Sequence, residues 1–126
     1  MNERISIVAG QRVLWLPELG EPIARESQAN DLIGSAWNQQ AVWVALPVPR
    51  VHEDFFRLET RLAGAVLQKF VNYGIKLALI GDVSPWLERS KAFRDFVRET
   101  NQGGTFWLVD DVAAFERKLS ATVARV

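Results

Sequence analysis

The sequence predicts an α/β fold, a single domain built on a mixed, mostly parallel sheet of about five strands. Its 126 residues are enough for one core but not for two, so we take residues 1–126 as one domain. Short apolar runs alternate with segments of helical periodicity, which favours parallel strands joined by crossover helices. Two β-rich runs around Gly10 open the chain and predict a hairpin. The predicted element order is ββαβαβαβα, with about four helices.

The first half of the chain contains the predicted hairpin, a helix and a buried strand. We expect the hairpin strands at residues 4–9 and 12–16, with Pro17 ending the second. Apolar residues then recur at the spacing of one helix face. These are Ala29, Leu32, Ile33, Ala36 and Trp37. Residues 41–46 form a nearly uninterrupted apolar run before Pro47, which is typical of a strand buried on both faces.

The second half of the chain repeats the strand-helix unit. The apolar face of the second helix ends before Gly74, which suits a left-handed cap. Its members are Leu58, Leu62, Val66, Leu67 and Phe70. Further strands are expected at residues 75–80 and 105–109, with a helix between them that stops near Asn101. Phe93, Phe96 and Val97 mark that helix, and Val112, Phe115, Leu119 and Val123 mark the last one.

The composition argues against several classes of protein. Fifteen basic and fifteen acidic side chains cancel, so no general attraction to nucleic acid or to an anionic membrane is expected. The lack of cysteine removes disulfides, thiolate nucleophiles and thiolate metal sites. Residues 1–8 resemble neither a signal peptide nor a membrane span, and we expect a cytoplasmic protein. Five tryptophans are many for this length, and core positions are favoured for them over interface positions.

A family resemblance rests on the middle of the chain, over residues 49–109. The segments that carry it read DFFRLETRLAG at 54–64, LQKFVNY at 67–73, KLALIGD at 76–82, FRDF at 93–96 and ETN at 99–101. In this order they resemble the uncharacterised bacterial family "domain of unknown function 4180". That family has no assigned activity, so the resemblance supports the fold and leaves the function open. Ala65 stands where the family pattern has an acidic residue, which puts in doubt any role tied to that carboxylate.

The order of elements carries a second, weaker resemblance. A hairpin followed by repeated strand-helix units resembles the anti-sigma-factor-antagonist (STAS-like) architecture, and this likeness involves no sequence motif. In such regulators a hydroxyl near the start of the corresponding helix is a phosphorylation switch, because added negative charge there blocks a partner. By position Thr60 is the regulatory candidate in this chain. Its alternative role is to cap a turn at the start of the second helix.

Titratable side chains follow each strand of the predicted parallel sheet. They are Glu18 and Glu21 after the second strand, His52, Glu53 and Asp54 after the third, Asp82 after the fourth, and Asp110 and Asp111 after the fifth. Carboxylates gathered at the strand ends would bind a divalent cation and, through it, a phosphorylated ligand. The ligand-binding candidates are His52, Glu53, Asp54, Asp82 and Asp110, and the metal is left open. The alternative is that Asp54, Asp110 and Asp111 cap the helices that follow them.

The sequence offers no recognised catalytic set. His52 is the only histidine and would be free to act as an acid or a base, but no nucleophile elbow and no glycine-rich phosphate loop accompany it. No catalytic residue and no cofactor is therefore assigned. We expect a non-catalytic regulatory or protein-binding module of STAS-like type that binds a protein partner or itself. The alternative is a small ligand-binding or hydrolytic protein that uses the acidic strand-end rim, with a divalent cation and a phosphorylated ligand.

Overall fold

The computed structural model describes residues 3–123 and confirms the α/β fold with a mixed, mostly parallel sheet. The strands are β1 (Arg4–Val8), β2 (Gln11–Trp15), β3 (Trp43–Pro47), β4 (Lys76–Ile80) and β5 (Phe106–Val109). They lie side by side in chain order. β1 and β2 form the predicted antiparallel hairpin, and every other neighbouring pair is parallel.

The helices are distributed unequally over the two faces of the sheet. They are α1 (Gln28–Asn38), α2 (Leu62–Asn72), α3 (Ser84–Arg89), α4 (Lys91–Gln102) and α5 (Val112–Val123). Because the parallel strands follow one another without reversal, right-handed crossovers place α1 to α4 on the same face. α5 follows the last strand and packs on the other face. Among the described residues, α5 is the one helix that covers that second face.

The alternation of side chains along the strands divides the core into two layers. Leu14, Val44 and Leu77 point into the layer under α1 to α4. Trp43 and Trp107 point into the layer under α5, where their ring centroids lie 4.5 Å apart and both pack against Phe115 of that helix. The strand tryptophans are therefore core residues. Their large rings let a single helix fill the second face, since each aromatic side chain buries more area than an aliphatic one.

The third predicted helix is present as two helices. After β4 ends at Ile80, the chain enters α3. This helix has Pro85 in its first turn, where the missing N–H has no intrahelical partner to lose. Ser90 then adopts an extended conformation, and its Oγ accepts a hydrogen bond from the N–H of Phe93 at 3.0 Å. This serine is the N-cap of α4, so it ends one helix and starts the next. The helix expected around Phe93 is α4, and α3 is the additional element.

The second helix begins at Leu62, one turn later than its apolar spacing indicated. The connection from β3 to α2 consists of three short 3-10 turns at Val48–Arg50, Glu53–Phe55 and Leu58–Thr60. Arg61 follows in the left-handed region with φ of 67°, which interrupts the helix between Leu58 and Leu62. Leu58 still packs against the core, and that contact explains why its spacing matched the helix face.

Candidate functional site

The carboxyl ends of β2 to β5 lie together at one end of the sheet, which we call the carboxyl rim. The predicted ligand residues lie in its loops. Neighbouring strands stand about 4.8 Å apart, so the loops form a row. A sheet in chain order has no point where the crossovers reverse direction, and that reversal is what opens the ligand crevice of doubly wound sheets. Within residues 3–123, no three His, Asp or Glu side chains lie close enough together to hold a metal ion.

Two aspartates of the carboxyl rim bond to the backbone that follows them. Asp82 Oδ1 accepts hydrogen bonds from the hydroxyl and from the N–H of Ser84, the latter at 2.9 Å. These two bonds lower the pKa of Asp82 below its ordinary value. Asp111 Oδ1 accepts from the N–H of Ala114 at 2.7 Å, so Asp111 is the N-cap of α5. Both carboxylates stabilise turns rather than point towards a common ligand.

The residues after β3 also have local partners. His52 Nδ1 accepts a hydrogen bond from the N–H of Asp54 at 3.0 Å and caps the turn Glu53–Phe55. Asp54 Oδ2 lies 3.6 Å from the same nitrogen. Glu53 Oε1 lies 3.4 Å from Nη2 of Arg57. Asp54 therefore does not cap the second helix, and the short turn that contains it is capped by His52.

The remaining carboxylates of the carboxyl rim lie in different places. Asp110 borders a groove between α4 and β5. Glu18 borders a separate groove on the α5 face, together with Arg4. Glu21 Oε1 accepts from Gln28 Nε2 at 3.0 Å and helps to hold the loop before α1. The structure thus brings the predicted residues to one end of the sheet without aiming them into one shared concavity.

Thr60 lies in the turn just before α2, close to the predicted position. Its Oγ1 lies 2.6 Å from the carbonyl oxygen of Asp54 and 2.8 Å from that of Arg57, and it accepts from the N–H of Leu62 at 3.3 Å. The hydroxyl therefore holds the turn together. A phosphate on this oxygen would remove the proton that the two carbonyls share, so modification would reshape the loop. Modification of Thr60 stays a prediction.

An aromatic stack at the carboxyl rim was not predicted. Trp86 of α3 stacks on Phe56 with ring centroids 5.5 Å apart and an interplanar angle of 19°. The guanidinium carbons of Arg57 and Arg89 lie 5.7 and 5.3 Å from the centroid of the Trp86 ring. The stack could not be found by helical spacing because it joins α3 to the irregular loop after β3.

An exposed aromatic pair lies at the opposite end of the sheet, the amino end of the parallel strands, where α1 and α2 end. Trp37 is 61% exposed and Tyr73 is 49% exposed. Their ring centroids are 6.3 Å apart at 85°, and Trp37 Nε1 donates to the carbonyl oxygen of Tyr73 at 3.3 Å. The assignment of Trp37 to the buried face of α1 was wrong. Trp37 lies in the last turn of the helix, and its side chain is exposed, whereas the preceding Ala36 is fully buried.

A shallow groove adjoins this pair. It is lined by Asn30, Ile33, Gly34, Trp37, Asn38 and Tyr73 and has a volume of about 380 Å³. We call these six residues the aromatic patch. A Cβ at Gly34 would meet no heavy atom within 4 Å, so a side chain there would extend into open space. The patch thus combines two apolar residues, two rings and two amide side chains.

The fold and these surfaces define a small α/β domain whose carboxyl rim holds scattered, locally bonded acids and whose amino end carries an exposed aromatic patch. A family model described as Domain of unknown function (DUF4180) matches residues 8–119. The chain belongs to this family, and the match extends beyond the segment that carried the resemblance. No curated protein and no solved structure gives a match. In residues 3–123, no helix has the length and apolar character needed to cross a membrane.

Proposed function

We propose that the chain is a non-catalytic protein-binding module and that its partner docks on the aromatic patch. The observation that carries this proposal is the exposure of Trp37, since Trp15, Trp43 and Trp107 are all buried. Tryptophan and tyrosine are the residues most enriched where interfaces concentrate their binding energy. A folded protein gains little by leaving such a ring in water, so an exposed tryptophan beside an exposed tyrosine favours a binding role.

The shape and chemistry of the aromatic patch support a protein partner. Ile33, Gly34 and Trp37 give the groove apolar lining that suits a large apolar side chain of the partner. Asn30 and Asn38 also line it and are exposed, so they can bond to backbone groups of the partner. Polar groups beside apolar ones are usual in a protein interface.

The regulatory details expected from the sequence belong to the same proposal. They are a STAS-like role, a bacterial cytoplasmic location and a phosphate switch at Thr60. Thr60 precedes α2, and Tyr73 follows the same helix, so a change in the turn at Thr60 would act on the partner through the position of α2. The acidic rim gives less support to the ligand-binding alternative, because Asp82 and Asp111 bond to their own loops, and Glu18 and Asp110 line separate grooves.

The test is affinity purification from the organism that encodes the chain, using the parent protein, Trp37→Ser and Leu19→Ser. Leu19 is exposed and lies outside the aromatic patch, so its variant controls for a general loss of apolar surface. We expect one protein to copurify with the parent and with Leu19→Ser, and to be lost with Trp37→Ser. In titration calorimetry with that purified protein, Trp37→Ser should weaken binding by about 2 kcal/mol, or roughly thirtyfold in Kd. Equal recovery by all three proteins, or recovery by none, would overturn the proposal.

A further inference from the structure

β1 is an edge strand whose outward backbone groups lack partners. The hairpin turn has φ of 50° at Ala9 and 80° at Gly10, which is the two-residue turn in which the flanking pair, Val8 and Gln11, exchanges both hydrogen bonds. Alternate residues of β1 therefore bond to β2, and Ile5 and Ile7 point their N–H and C=O groups away from the sheet. Within residues 3–123, these groups have no hydrogen-bond partner.

The side chains of β1 suit pairing with another strand. Ile7 is 62% exposed, and Ile5 packs only partly against the core. Proteins normally protect an exposed edge with proline, bulges or several charges. β1 contains Arg4 as its single charged residue and has no proline, and it pairs regularly with β2 along its whole length. The edge therefore has both the free backbone groups and the apolar side chains that strand addition needs.

We propose that a second copy of this chain adds its own β1 to this edge, antiparallel and centred on Ser6. This register is the one that pairs all five residues of both strands. It places Ile5 opposite Ile7 of the second copy, and each such pair exchanges both N–H···O bonds. The two strands then continue the sheets of both copies into one.

The distribution of charge also fits a second copy. In the register centred on Ser6, Arg4 lies opposite Val8 of the other strand, so the two arginines stand at opposite ends of the pairing. A shift that placed Ile5 opposite Ile5 would bring the two arginines onto neighbouring positions of the same face, which is unfavourable. The formal net charge of the chain is +0, so two copies meet no overall repulsion.

A cysteine crosslink tests this register, because the chain has no cysteine of its own. In the proposed pairing, Ser6 faces Ser6 of the second copy at a non-hydrogen-bonded position, where Cα atoms come within disulfide reach. Two Arg4 residues would be about 13 Å apart and out of reach. We expect mild oxidation to convert Ser6→Cys to a covalent dimer at least about tenfold faster than Arg4→Cys. Equal rates for the two variants would overturn the register.

Sedimentation equilibrium of variants at Ile7 tests whether the chain dimerises through the β1 edge. Ile7→Pro removes an outward N–H and leaves the bonds between β1 and β2 in place, whereas Ile7→Val keeps the backbone group. We expect the parent and Ile7→Val to dimerise as concentration rises, and Ile7→Pro to stay monomeric. If Ile7→Pro fails to fold by circular dichroism, Ile7→Lys replaces it, since a lysine on an edge opposes pairing. A parent that is monomeric at every concentration, or a folded edge variant that still dimerises, would refute the proposal.

This self-association is independent of the partner bound at the aromatic patch. Trp37→Ser leaves β1 unchanged and should dimerise like the parent. Ile7→Pro leaves the aromatic patch unchanged and should retain the copurifying protein. The two proposals therefore fail or succeed separately.

Discussion

At the β5 edge of the sheet a side chain bonds to the outward backbone groups of one strand residue, whereas at the β1 edge the backbone faces solvent. Asn101 Nδ2 donates to the carbonyl oxygen of Leu108 at 3.0 Å, and Asn101 Oδ1 accepts from the N–H of Leu108 at 2.8 Å. One amide thus imitates a neighbouring strand. No such side chain lies at Ile5 or Ile7 within residues 3–123. The difference indicates that this fold blocks part of one edge against pairing and leaves the other available.

Contacts around Asn101 hold the amide in place. Lys118 of α5 donates to the carbonyl oxygen of Asn101 at 2.8 Å, and its ammonium lies 4.8 Å from the centroid of the Trp107 ring. Trp107 Nε1 donates to the carbonyl oxygen of Gly103 at 2.7 Å. Helices from both faces of the sheet therefore converge on the β5 edge. β1, at the other edge, is held mainly by its pairing with β2 and by its contacts with α5.

The largest change in stability is expected from Asn101→Ala, which removes the side chain that bonds to the β5 edge. It leaves both backbone groups of Leu108 without their partner, and the free energy of unfolding should fall by about 2 kcal/mol. Urea denaturation followed by circular dichroism measures this loss. Gln102→Ala is the matched control, because the neighbouring side chain is exposed and makes no bond to β5. Sedimentation velocity should also show larger species for Asn101→Ala than for Gln102→Ala, since two edges are then free to pair. Unchanged stability and size would mean that Asn101 does not close the edge.

A smaller effect is expected at the turn that supports the open edge. Ala9 has φ of 50°, a conformation that asparagine adopts more readily than alanine, and Gly10 follows it in the turn. Ala9→Asn should therefore raise the free energy of unfolding by about 0.5–1 kcal/mol. Thermal unfolding measures this gain, and Ala9→Val should lower the melting temperature because a β-branched residue is strained there. If both variants shift stability in the same direction, the turn does not have this conformation in solution.

Apart from α3, sequence periodicity predicted the element order, and it predicted the strand positions to within two residues, because burial on one or both faces leaves a strong pattern. It did not predict the order of strands in the sheet. That order decides whether residues that each follow a strand, such as Glu53 and Asp82, meet in a crevice or lie along a row. Since the strands are in chain order, the predicted ligand residues are spread out, and the hydrogen bonds of His52 and Asp82 stay within their own loops.

The two surfaces that carry the proposals were invisible to periodicity for different physical reasons. Trp37 matched an apolar helix face, but its exposure depends on where the neighbouring helix ends. The open edge at β1 and the amide of Asn101 depend on which strands are outermost, which no local pattern encodes. An asparagine seven residues before a strand residue gives no signal of its own until the chain returns to place them together.

The smallest change in stability is expected from the ion pairs of α4, the helix that brings Asn101 to β5. Asp95 of α4 bonds to Lys91 at 2.9 Å and to Arg98 at 3.1 Å. The hydrogen bond from Lys91, helped by the positive charges of both residues, lowers the pKa of Asp95 in the folded protein below its ordinary value near 3.8. The unfolded chain therefore binds this proton more readily than the folded one. The stability that the carboxylate contributes is fully present above the unfolded pKa and is lost as pH falls through the lowered folded pKa.

Asp95→Asn should accordingly be less stable than the parent at neutral pH, and the difference should shrink as the solution is acidified through the titration of this carboxylate. Because the group is exposed, we expect a small difference that is screened by salt. Urea denaturation of both proteins from pH 7 to about pH 3 measures it. Glu99→Gln on the same helix is the control, since Glu99 has no ion-pair partner among residues 3–123 and its variant should run parallel to the parent. A constant difference for Asp95→Asn across this range would show that the ion pairs do not stabilise α4, and the closure of the β5 edge would then depend on packing and on Asn101 alone.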